Sequence, residues 1–324
     1  MKGDGPGGTG GGSPPCTEEV GGGPEARGKH GLVIVDKPGG MTSHDVVARI
    51  RRLAGTRRVG HAGTLDPMAT GVLVVGIGQA TRLLGYLTLT EKRYDATIRL
   101  GQSTSTDDAE GAVTGTASAA GVSAAALAAA AAGLTGEIQQ VPPAVSAIKV
   151  AGQRAYRLAR AGAAPDLKPR PVTVHEFTVT AVRPAGDLLD VDVTVRCSSG
   201  TYIRALARDL GHELGTGGHL TRLRRTRVGG YGLDAARTLD QLADRFEVLP
   251  LAEAAARAFP RRDLSADEAR RLAHGARLAA AAAPGSADQA AATAGPTAAY
   301  APDGTLVALL TEQAGQARPL VVFA

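Results

Sequence analysis

The feature that most constrains the fold is a series of short strand-like runs with no regular helix between them. "LVIV" (residues 32–35) and "GVLVVGIG" (residues 71–78) are continuous apolar runs, whereas "KRYDATIRLG" (residues 92–101) alternates as a strand does. A regular βαβ repeat would indicate a parallel sheet, and the sequence lacks one. The pattern therefore predicts an α+β fold with a mixed, largely antiparallel sheet.

Helical segments join these runs at irregular intervals. In "TSHDVVARIRRLAG" (residues 42–55), Thr42 or Ser43 is placed to cap a helix, and apolar residues recur after it at helical spacing. "SAAALAAAAAGL" (residues 123–134) predicts an alanine-rich helix that closes at Gly133. "LLDVDVTVRC" (residues 188–197) predicts a strand that leads through a turn into another helix.

Composition divides the chain into three parts. Residues 1–28 are rich in Gly and Pro and are predicted to be disordered, because they cannot bury enough apolar surface to offset chain entropy. Residues 29–245 carry the motifs with chemical potential and form the main domain. Residues 246–324 are predicted to form a small β-containing domain, with helical segments first, an alanine-rich linker, and two strand-like runs around a "PDG" turn.

Charge and cysteine content narrow the class of protein. The 324 residues carry 36 Lys and Arg against 31 Asp and Glu, and the net charge of +5 is compatible with a nucleic-acid partner. Aromatic residues make up only 3%, without Trp, which argues against extended aromatic platforms for bases. The two cysteines, Cys16 and Cys197, have no metal-ligand spacing. With no signal-peptide or membrane-span pattern, the chain is predicted to be cytoplasmic.

One acid stands alone in a basic segment. Between Val46 and Thr90, Asp66 is the only Asp or Glu, whereas six arginines and His61 lie in the same stretch. Asp followed by Pro67 is a common turn signal, so a structural role in a turn or an ion pair is the ordinary interpretation. The alternative is that Asp66 carries out chemistry within a surface that binds a polyanion.

Other catalytic and cofactor patterns in the sequence are weak. "GIGQATR" (residues 76–82) gives G-x-G-x-x-T, which favours a tight turn after a buried strand over a dinucleotide site. The histidines have no ligand spacing, no G-x-S-x-G elbow is present, and the segment around Asp66 offers one carboxylate where a glycosidase normally uses two. What remains is a single Asp used as a nucleophile or base without metal or cofactor.

Such an aspartate needs a nearby cation to stay ionised and oriented. "CSSGTYIRALARDLG" (residues 197–211) supplies Arg204, whose side chain shares a face with that of Tyr202 if the segment is extended. "TRLRRTRVGG" (residues 221–230) supplies four arginines, among them Arg224, for phosphate contacts. Both segments are also compatible with ordinary sheet residues and a solvated basic edge.

In order along the chain, seven segments resemble the motif series of the TruB family of tRNA pseudouridine synthases. They span roughly residues 30–230 and are "DKPGGMTS", "GHAGTLDPMATGVLVVGIGQATR", "KRYDATIRLG", "TDDAEG", "PPAVSAIKVAGQRAYRLARAG", "CSSGTYIRALARDLG" and "LRRTRVG". The resemblance implies a pseudouridine-synthase catalytic domain over residues 29–245, with an RNA-gripping insertion at about 123–170. It also implies a PUA-like RNA-binding domain over residues 246–324.

The resemblance implies a role for each matched residue. Asp66 matches the catalytic aspartate, which attacks the target nucleoside so that the N-glycosidic bond breaks, the base rotates and the bond re-forms through carbon. Arg204 matches the arginine that pairs with this aspartate, and Tyr94 matches the tyrosine that stacks on the base and takes part in proton removal. The expected substrate- and RNA-binding set, which includes Arg224 from the basic segment and Lys149 from the insertion, is Lys37, His61, Tyr202, Leu223, Arg224 and Lys149.

The implied substrate is the uridine at position 55 in the T-loop of tRNA. A base inside an RNA fold must be flipped out before its ring can react, and an isomerisation needs no metal, redox cofactor or ATP. We expect a monomer without an obligate protein partner and without a membrane attachment. Two alternatives remain, a tRNA-folding chaperone that uses the same surface and a nucleotide-binding oxidoreductase built on "GIGQAT". An intact set of Asp66, Tyr94 and Arg204 favours the enzyme.

Overall fold

The computed structural model describes residues 30–145, 149–150, 153–154, 167–280, 295–313 and 315–323, with main chain only at 149–150 and 153–154. The tail at residues 1–28, which the sequence predicts to be disordered, lies outside the described residues. So does much of the predicted insertion at about 123–170, and so does most of the alanine-rich linker.

The described part of the chain contains nineteen strands and seven α-helices. The strands are β1 (Gly31–Lys37), β2 (Val59–Ala62), β3 (Thr70–Ile77), β4 (Lys92–Leu100), β5 (Gln102–Thr104), β6 (Val113–Thr116), β7 (Gly136–Gln140), β8 (Lys149–Val150), β9 (Gln153–Arg154), β10 (Arg170–Ala185), β11 (Leu188–Cys197), β12 (Gly218–Val228), β13 (Tyr231–Gly232), β14 (Leu249–Pro250), β15 (Arg261–Asp263), β16 (Leu278–Ala279), β17 (Thr297–Tyr300), β18 (Leu306–Gln313) and β19 (Gln316–Val322). The helices are α1 (Ser43–Ala54), α2 (Leu84–Thr88), α3 (Ala124–Gly133), α4 (Ile203–Glu213), α5 (Leu239–Asp244), α6 (Leu251–Ala258) and α7 (Ala266–Ala273).

The larger sheet has ten strands and confirms the predicted fold class. Its order is β14-β1-β3-β12-β4-β11-β10-β7, with β2 also paired to β3 and β13 to β12. Among its described pairings only β3 and β12 run parallel, and the rest are antiparallel. The sheet is therefore mixed and largely antiparallel, as the irregular spacing of helices predicts.

Two interior strands of this sheet, β3 and β11, are covered differently, and the sequence pattern shows it. β3 is buried along almost its whole length, since Val72 and Val74 enter one core cluster while Leu73 and Val75 enter another on the opposite face. β11 alternates between buried and partly exposed residues, with its buried side facing the core that α4 covers. A continuous apolar run thus marks a strand covered on both faces, and an alternating run marks one covered on a single face.

Helix α1 begins with a capping box that frees Ser43 for another contact. The Thr42 side chain accepts from the main-chain N–H of Asp45, and the Asp45 carboxylate accepts from that of Thr42. The helix ends at Gly55, whose φ of 62° lies in the left-handed region. Thr42 is therefore the cap, and Ser43 lies fully buried at the start of the helix.

The smaller sheet has five strands, in the order β15-β17-β18-β19-β16. It confirms the small β-containing domain, in which β17 and β18 flank the "PDG" turn. The helical expectation for the segment before it is met by α6 and α7, but β15 lies between them. β14 pairs with β1 in the larger sheet, so residues just beyond the predicted boundary at 245 still belong to that sheet.

Three local features can be compared with the sequence predictions: the segment at residues 76–82, helix α3 and strand β7. "GIGQATR" leads into a 3₁₀-helix at Gly78–Arg82 after β3, so it forms the expected turn. α3 ends at Gly133, where the sequence predicts that it closes, and Leu134 is the capping residue that follows. β7 pairs with β10, so the start of the predicted insertion is part of the larger sheet. Within the described residues no helix is both long and apolar enough to span a membrane.

Candidate active site

Asp66 lies in the loop between β2 and β3, at the centre of the larger sheet. β3 begins beside β12 in the parallel pairing, where Arg225 is opposite Gly71. β12 in turn pairs with β4, where Arg225 is opposite Tyr94. Three strands therefore bring the Asp66 loop, Arg225 and Tyr94 into one neighbourhood, although they are far apart in sequence.

Arg204 holds the Asp66 carboxylate through two contacts. Its Nε lies 2.9 Å from Oδ2 of Asp66, and its Nη2 donates to Oδ1 at 3.2 Å. The Arg204 side chain is 5% exposed, whereas that of Asp66 is 33% exposed. The Nη2 contact is a hydrogen bond, whereas Nε makes a close ionic contact without hydrogen-bond geometry, so the two contacts hold both oxygens by charge and one of them by direction. The acid is thus oriented from beneath and open on one side.

Arg204 is itself held by three further groups, two of them in the turn between β5 and β6. Nη1 donates to the carbonyl of Thr106 at 3.0 Å, and Nη2 donates to the carbonyl of Val145 at 2.9 Å. Its Nε also lies 3.5 Å from Oδ2 of the buried Asp108. Since its donors are shared between two carboxylates and two carbonyls, the guanidinium has little freedom to follow Asp66 if that side chain moves.

Lys37 is fully buried and binds main-chain carbonyls. Its Nζ donates to the carbonyls of Pro38 at 2.8 Å, Met41 at 2.7 Å and Pro67 at 3.1 Å. Burial lowers the pKa of Lys37 to about 8, and the Asp66 carboxylate opposes that fall. The structure therefore places this lysine under the Asp66 loop, while its predicted contact with RNA stays a prediction.

Arg225 is a second buried cation beside the loop, and nothing in the sequence distinguished it from the neighbouring arginines. It is 1% exposed, and its Nε donates to the carbonyl of Val72 at 2.8 Å. Its Nη2 donates to the carbonyl of Gly63 at 3.2 Å and its Nη1 to that of Thr64 at 3.4 Å. Burial is the main reason that its pKa is lowered. The signal available in the sequence was only that it lies between Arg224 and Arg227.

Tyr94 lies on β4 beside Arg225 and close to Asp66. Burial raises the pKa of the Tyr94 phenol, and the neighbouring Arg225 partly offsets that rise. The phenol is therefore protonated in the resting site at neutral pH. Of the residues predicted from the sequence to be catalytic, the structure brings all three together, Asp66, Tyr94 and Arg204.

Tyr202 and Leu223 border the same region. Tyr202 caps the start of α4, so Tyr202 and Arg204 are not both extended, and the predicted shared face does not arise in that way. Its main chain is held by Gln140, which accepts from the Tyr202 N–H at 2.8 Å and donates to the Tyr202 carbonyl at 3.1 Å. Leu223 is buried in the core cluster that Tyr94 packs against.

The remaining predicted residues are dispersed. His61 lies on β2, in edge-to-face contact with His44, and burial is the main cause of its lowered pKa. Arg224 pairs with Asp36 through contacts of 2.7 and 3.0 Å, so its charge is already matched within the protein. The side chain of Lys149 falls outside the described part of the chain.

Two acids of "TDDAEG" also reach the site, although the sequence reading gave them no role. Asp108 contacts Arg204, as described above, and Asp107 contacts Arg208 at 3.3 Å. Asp107 has a φ of 60°, the only positive value among the described non-glycine residues. A sharp turn therefore directs two adjacent carboxylates to different arginines, and the signal for it was three acids within six residues.

Family models match nearly the whole of the main and C-terminal regions. The model of the TruB family pseudouridylate synthase N-terminal domain matches residues 51–203. That of the tRNA pseudouridylate synthase B C-terminal domain matches residues 204–256, and that of the tRNA pseudouridine synthase II C-terminal region matches residues 259–324. The chain belongs to the TruB family. The family expected from the motifs is thereby confirmed, and the chain is an enzyme that makes pseudouridine in tRNA.

Similar proteins support the same assignment. The tRNA pseudouridine synthase B of Arthrobacter sp. (strain FB24) is 65% identical over 91% of this chain and 96% of its own length. That of Thermobifida fusca (strain YX) is 63% identical over 91% and 98%. Among solved structures, a chain of a Cbf5-Nop10-Gar1 complex has a TM-score of 0.67 and 26% identity, over 91% of this chain and 84% of that one.

Proposed function

We propose that this TruB family enzyme isomerises the uridine at position 55 in the T-loop of tRNA, with Asp66 as the nucleophile. The observation that carries the proposal is the Asp66–Arg204 pair, in which a partly exposed carboxylate is held in two contacts by a buried guanidinium. Partial exposure alone also fits a structural pair such as Arg262 and Glu268, but here the open acid lies where three strands bring the Asp66 loop and Tyr94 together. A nucleophile needs that open side.

The proposed reaction balances without a co-reactant. An oxygen of the Asp66 carboxylate bonds to C1′ of the ribose as the bond between C1′ and N1 of the base breaks, and the base leaves with that electron pair. The base then rotates, and its C5 bonds to C1′ as the bond between C1′ and Asp66 breaks, which frees the carboxylate. The proton on C5 leaves and N1 gains a proton, so substrate and product have the same composition. The step requires no change in oxidation state.

Arg204, Tyr94 and Leu223 each contribute to the proposed reaction in a different way. Arg204 orients the Asp66 carboxylate and balances its charge. Tyr94 offers its ring to the flipped base, and stacking of one base on one ring is a common device in RNA recognition. Leu223 adds an apolar wall beside it. The C5 proton is assigned to the freed Asp66 carboxylate as final acceptor, and the Tyr94 phenol, which is protonated at rest, takes part as a relay that passes on its own proton as it receives that of C5.

Binding of the RNA is assigned to the basic segment around Asp66, between Val46 and Thr90, and to the smaller sheet. A hairpin loop lowers the cost of turning a base outward, which suits the T-loop as a substrate. We expect a cytoplasmic monomer that requires no protein partner, and a C-terminal domain that grips the tRNA in the manner of a PUA domain. Lys37, His61 and Lys149 remain candidates for contacts with RNA.

The deciding experiment maps pseudouridine to the nucleotide in an unmodified tRNA transcript. Wild type is expected to convert the T-loop uridine, and Asp66→Asn is expected to lower the rate by at least about 10⁴-fold, as loss of a nucleophile does elsewhere. Its affinity for tRNA should stay within a few-fold. Asp240→Asn is the matched control, since that side chain is 91% exposed and pairs only weakly with Arg49 at 3.6 Å.

The same experiment distinguishes the tRNA chaperone from the isomerase. Tight binding without product in wild type would support a chaperone and remove the role proposed for Asp66. Product at another uridine would keep the chemistry and overturn the position. Loss of binding in Asp66→Asn would make Asp66 a structural residue.

A further inference from the structure

The main chain around Asp66 is captured at five successive carbonyls. Arg225 binds those of Gly63 and Thr64, Ser43 binds that of Leu65, and Lys37 binds that of Pro67. The carbonyl of Asp66 itself accepts from the N–H of Ala69 at 3.1 Å. A loop with this many external partners is held at every peptide unit on both sides of the nucleophile.

Arg225 is an unusual member of this set, because a buried charge normally pairs with an opposite charge. Within the described residues no ion pair joins Arg225 to a carboxylate, and its donors go to three carbonyls instead. Those carbonyls come from the end of β2, the loop and β3, so one planar guanidinium links three consecutive parts of the chain. A lysine could not match this spread, since its donors radiate from a single atom.

The strand register explains how Arg225 reaches the loop. β12 lies so close to the start of β3 that a Cβ on Gly71 would approach the Arg225 carbonyl oxygen to 2.2 Å. Gly71 also has a φ of 99°, which favours glycine. On its other side β12 is irregular between Arg225 and Arg227, where one extra residue faces β4. The tight approach and the bulge together direct Arg225 towards both the loop and Tyr94.

Ser43 holds the loop from the opposite side and without charge. Its hydroxyl accepts from the N–H of Leu65 at 2.9 Å and donates to the carbonyl of the same residue at 3.1 Å. Thr42 provides the cap of α1, so Ser43 is not needed for that purpose. Its position at the start of α1 ties the rigid end of a helix to the peptide unit that immediately precedes Asp66.

We propose that Arg225 and Ser43 are positioning residues for the reaction, which act by fixing the main chain of residues 63–65 so that the Asp66 carboxylate meets Arg204 and the substrate in one geometry. Arg225 also abuts Tyr94, so it sets the distance between the nucleophile loop and the ring that receives the base. This inference rests on the proposed function of Asp66. Neither residue touches the substrate in this scheme.

The first test compares Arg225→Lys with Arg227→Lys, an identical change at an exposed arginine two positions along the same strand. Displacement of a reacting group by about 1 Å can lower a rate by about 10²-fold. We expect Arg225→Lys to lower kcat by about that factor, with KM for tRNA within about three-fold of wild type. Arg227→Lys should leave kcat unchanged.

Two further variants separate positioning from folding. Ser43→Ala keeps every charge and is expected to lower kcat by about 10-fold at constant KM, because one of two loop clamps is lost. Ser118→Ala, at an exposed serine, is its control. In Arg225→Ala, added guanidinium chloride should restore part of kcat, whereas sodium chloride at equal concentration should not. All rates are measured well below the midpoint of thermal unfolding, so each refers to folded protein.

The outcomes are distinct. A kcat for folded Arg225→Lys and Ser43→Ala within two-fold of their controls would overturn the inference. So would a rise in KM alone, or a loss of kcat that follows the loss of folded protein with no effect of guanidinium. If Arg225→Lys does not fold, Ser43→Ala alone decides. An inactive wild type would instead refute the proposed function, and the inference would fall with it.

Discussion

Arg225 in the larger sheet and Arg262 in the smaller sheet are both largely buried, but they are satisfied in opposite ways. Arg225 binds three main-chain carbonyls. The Arg262 side chain, 12% exposed, instead pairs with Glu268 at 3.3 Å and Glu312 at 3.2 Å. The same side chain thus meets partial charges near Asp66 and full charges in the C-terminal domain.

The difference follows from the function proposed for each region, because only the larger sheet must leave Asp66 accessible to an anionic substrate. A carboxylate placed beside Arg225 would also lie close to Tyr94 and the Asp66 loop, where its negative charge would repel that of Asp66. Carbonyls neither titrate nor repel the substrate phosphates as an acid would. The smaller sheet has no such constraint, so its arginine takes acidic partners that add to stability alone. Acids do reach Asp66 from another segment, since Asp108 shares Arg204 with it, so the lack of an ion pair is a property of Arg225 and not of the whole site.

The largest effect should come from exchanging arginine for lysine at the two-contact pair. Arg204→Lys is expected to lower kcat by about 10²- to 10³-fold, because a lysine cannot meet both oxygens of Asp66 and also reach the carbonyls of Thr106 and Val145. Arg262→Lys should lower the unfolding temperature and leave kcat unchanged. Both are checked by single-turnover kinetics and thermal unfolding. Equal effects of the two variants on kcat would break the comparison.

An effect of intermediate size is expected on the pH dependence of the free energy of unfolding, to which two buried lysines, Lys37 and Lys92, contribute. Burial lowers the pKa of both Lys37 and Lys92 to about 8 from 10.5. Below pH 8 both the native and the unfolded chain carry these protons. Between about pH 8 and 10.5 the native chain has lost them and the unfolded chain retains them, so the free energy of unfolding rises with pH. Each lysine contributes at most about 3 kcal/mol over that window.

Denaturant titrations between about pH 8 and 10.5 measure how much each lysine contributes to the rise in the free energy of unfolding. They are made on wild type, Lys37→Met and Lys92→Met. The two variants should reduce that rise similarly, but only Lys37→Met should lower kcat, since Lys37 binds the Pro67 carbonyl next to Asp66. Lys92 binds carbonyls at Thr88 and Thr90, which are remote in sequence from the loop. A raised KM with unchanged kcat in Lys37→Met would instead support the predicted contact with RNA.

The fold class and the proposed catalytic pair were within reach of the sequence, for a physical reason. Apolar runs and alternation report which faces of a strand are covered, so the strands β1, β3, β4 and β11 could be read directly. Asp66 stood out because an unbalanced acid in a basic stretch is costly unless it has a partner or a use. The need for a nearby cation made Arg204 a candidate, and the resemblance then paired it with Asp66, which no spacing rule could do.

The loop clamp could not be read in the same way. Arg225 is adjacent in sequence to Arg224, yet Arg224 pairs with Asp36 and Arg225 is buried under the loop. Which of two neighbouring arginines turns inward depends on the register of β12 against β3 and β4 and on a bulge, and these are properties of long-range pairing. Ser43 was hidden for a similar reason, because either it or Thr42 satisfied the pattern of a helix cap.

The smallest expected effect is on tRNA affinity. It is expected from exposed arginines of the two regions that are candidates for contacts with phosphate. Arg57 and Arg58 are exposed at the start of β2, and Arg271 is exposed on α7 beside the smaller sheet. Each of Arg57→Gln and Arg58→Gln should weaken tRNA binding about two- to four-fold at constant kcat. Each should also reduce the salt dependence of log K by about 0.7 to 0.9, the share of one phosphate contact.

Arg271→Gln, the matched change, measures the grip of the C-terminal domain on the same scale, with binding titrated at several salt concentrations. We expect it to have the smaller effect, because the basic segment around Arg57 is continuous in sequence with the Asp66 loop. A larger loss of affinity and of salt dependence in Arg271→Gln would place the main electrostatic contact on the smaller sheet. The larger sheet would then carry the chemistry, and the C-terminal domain would carry most of the binding.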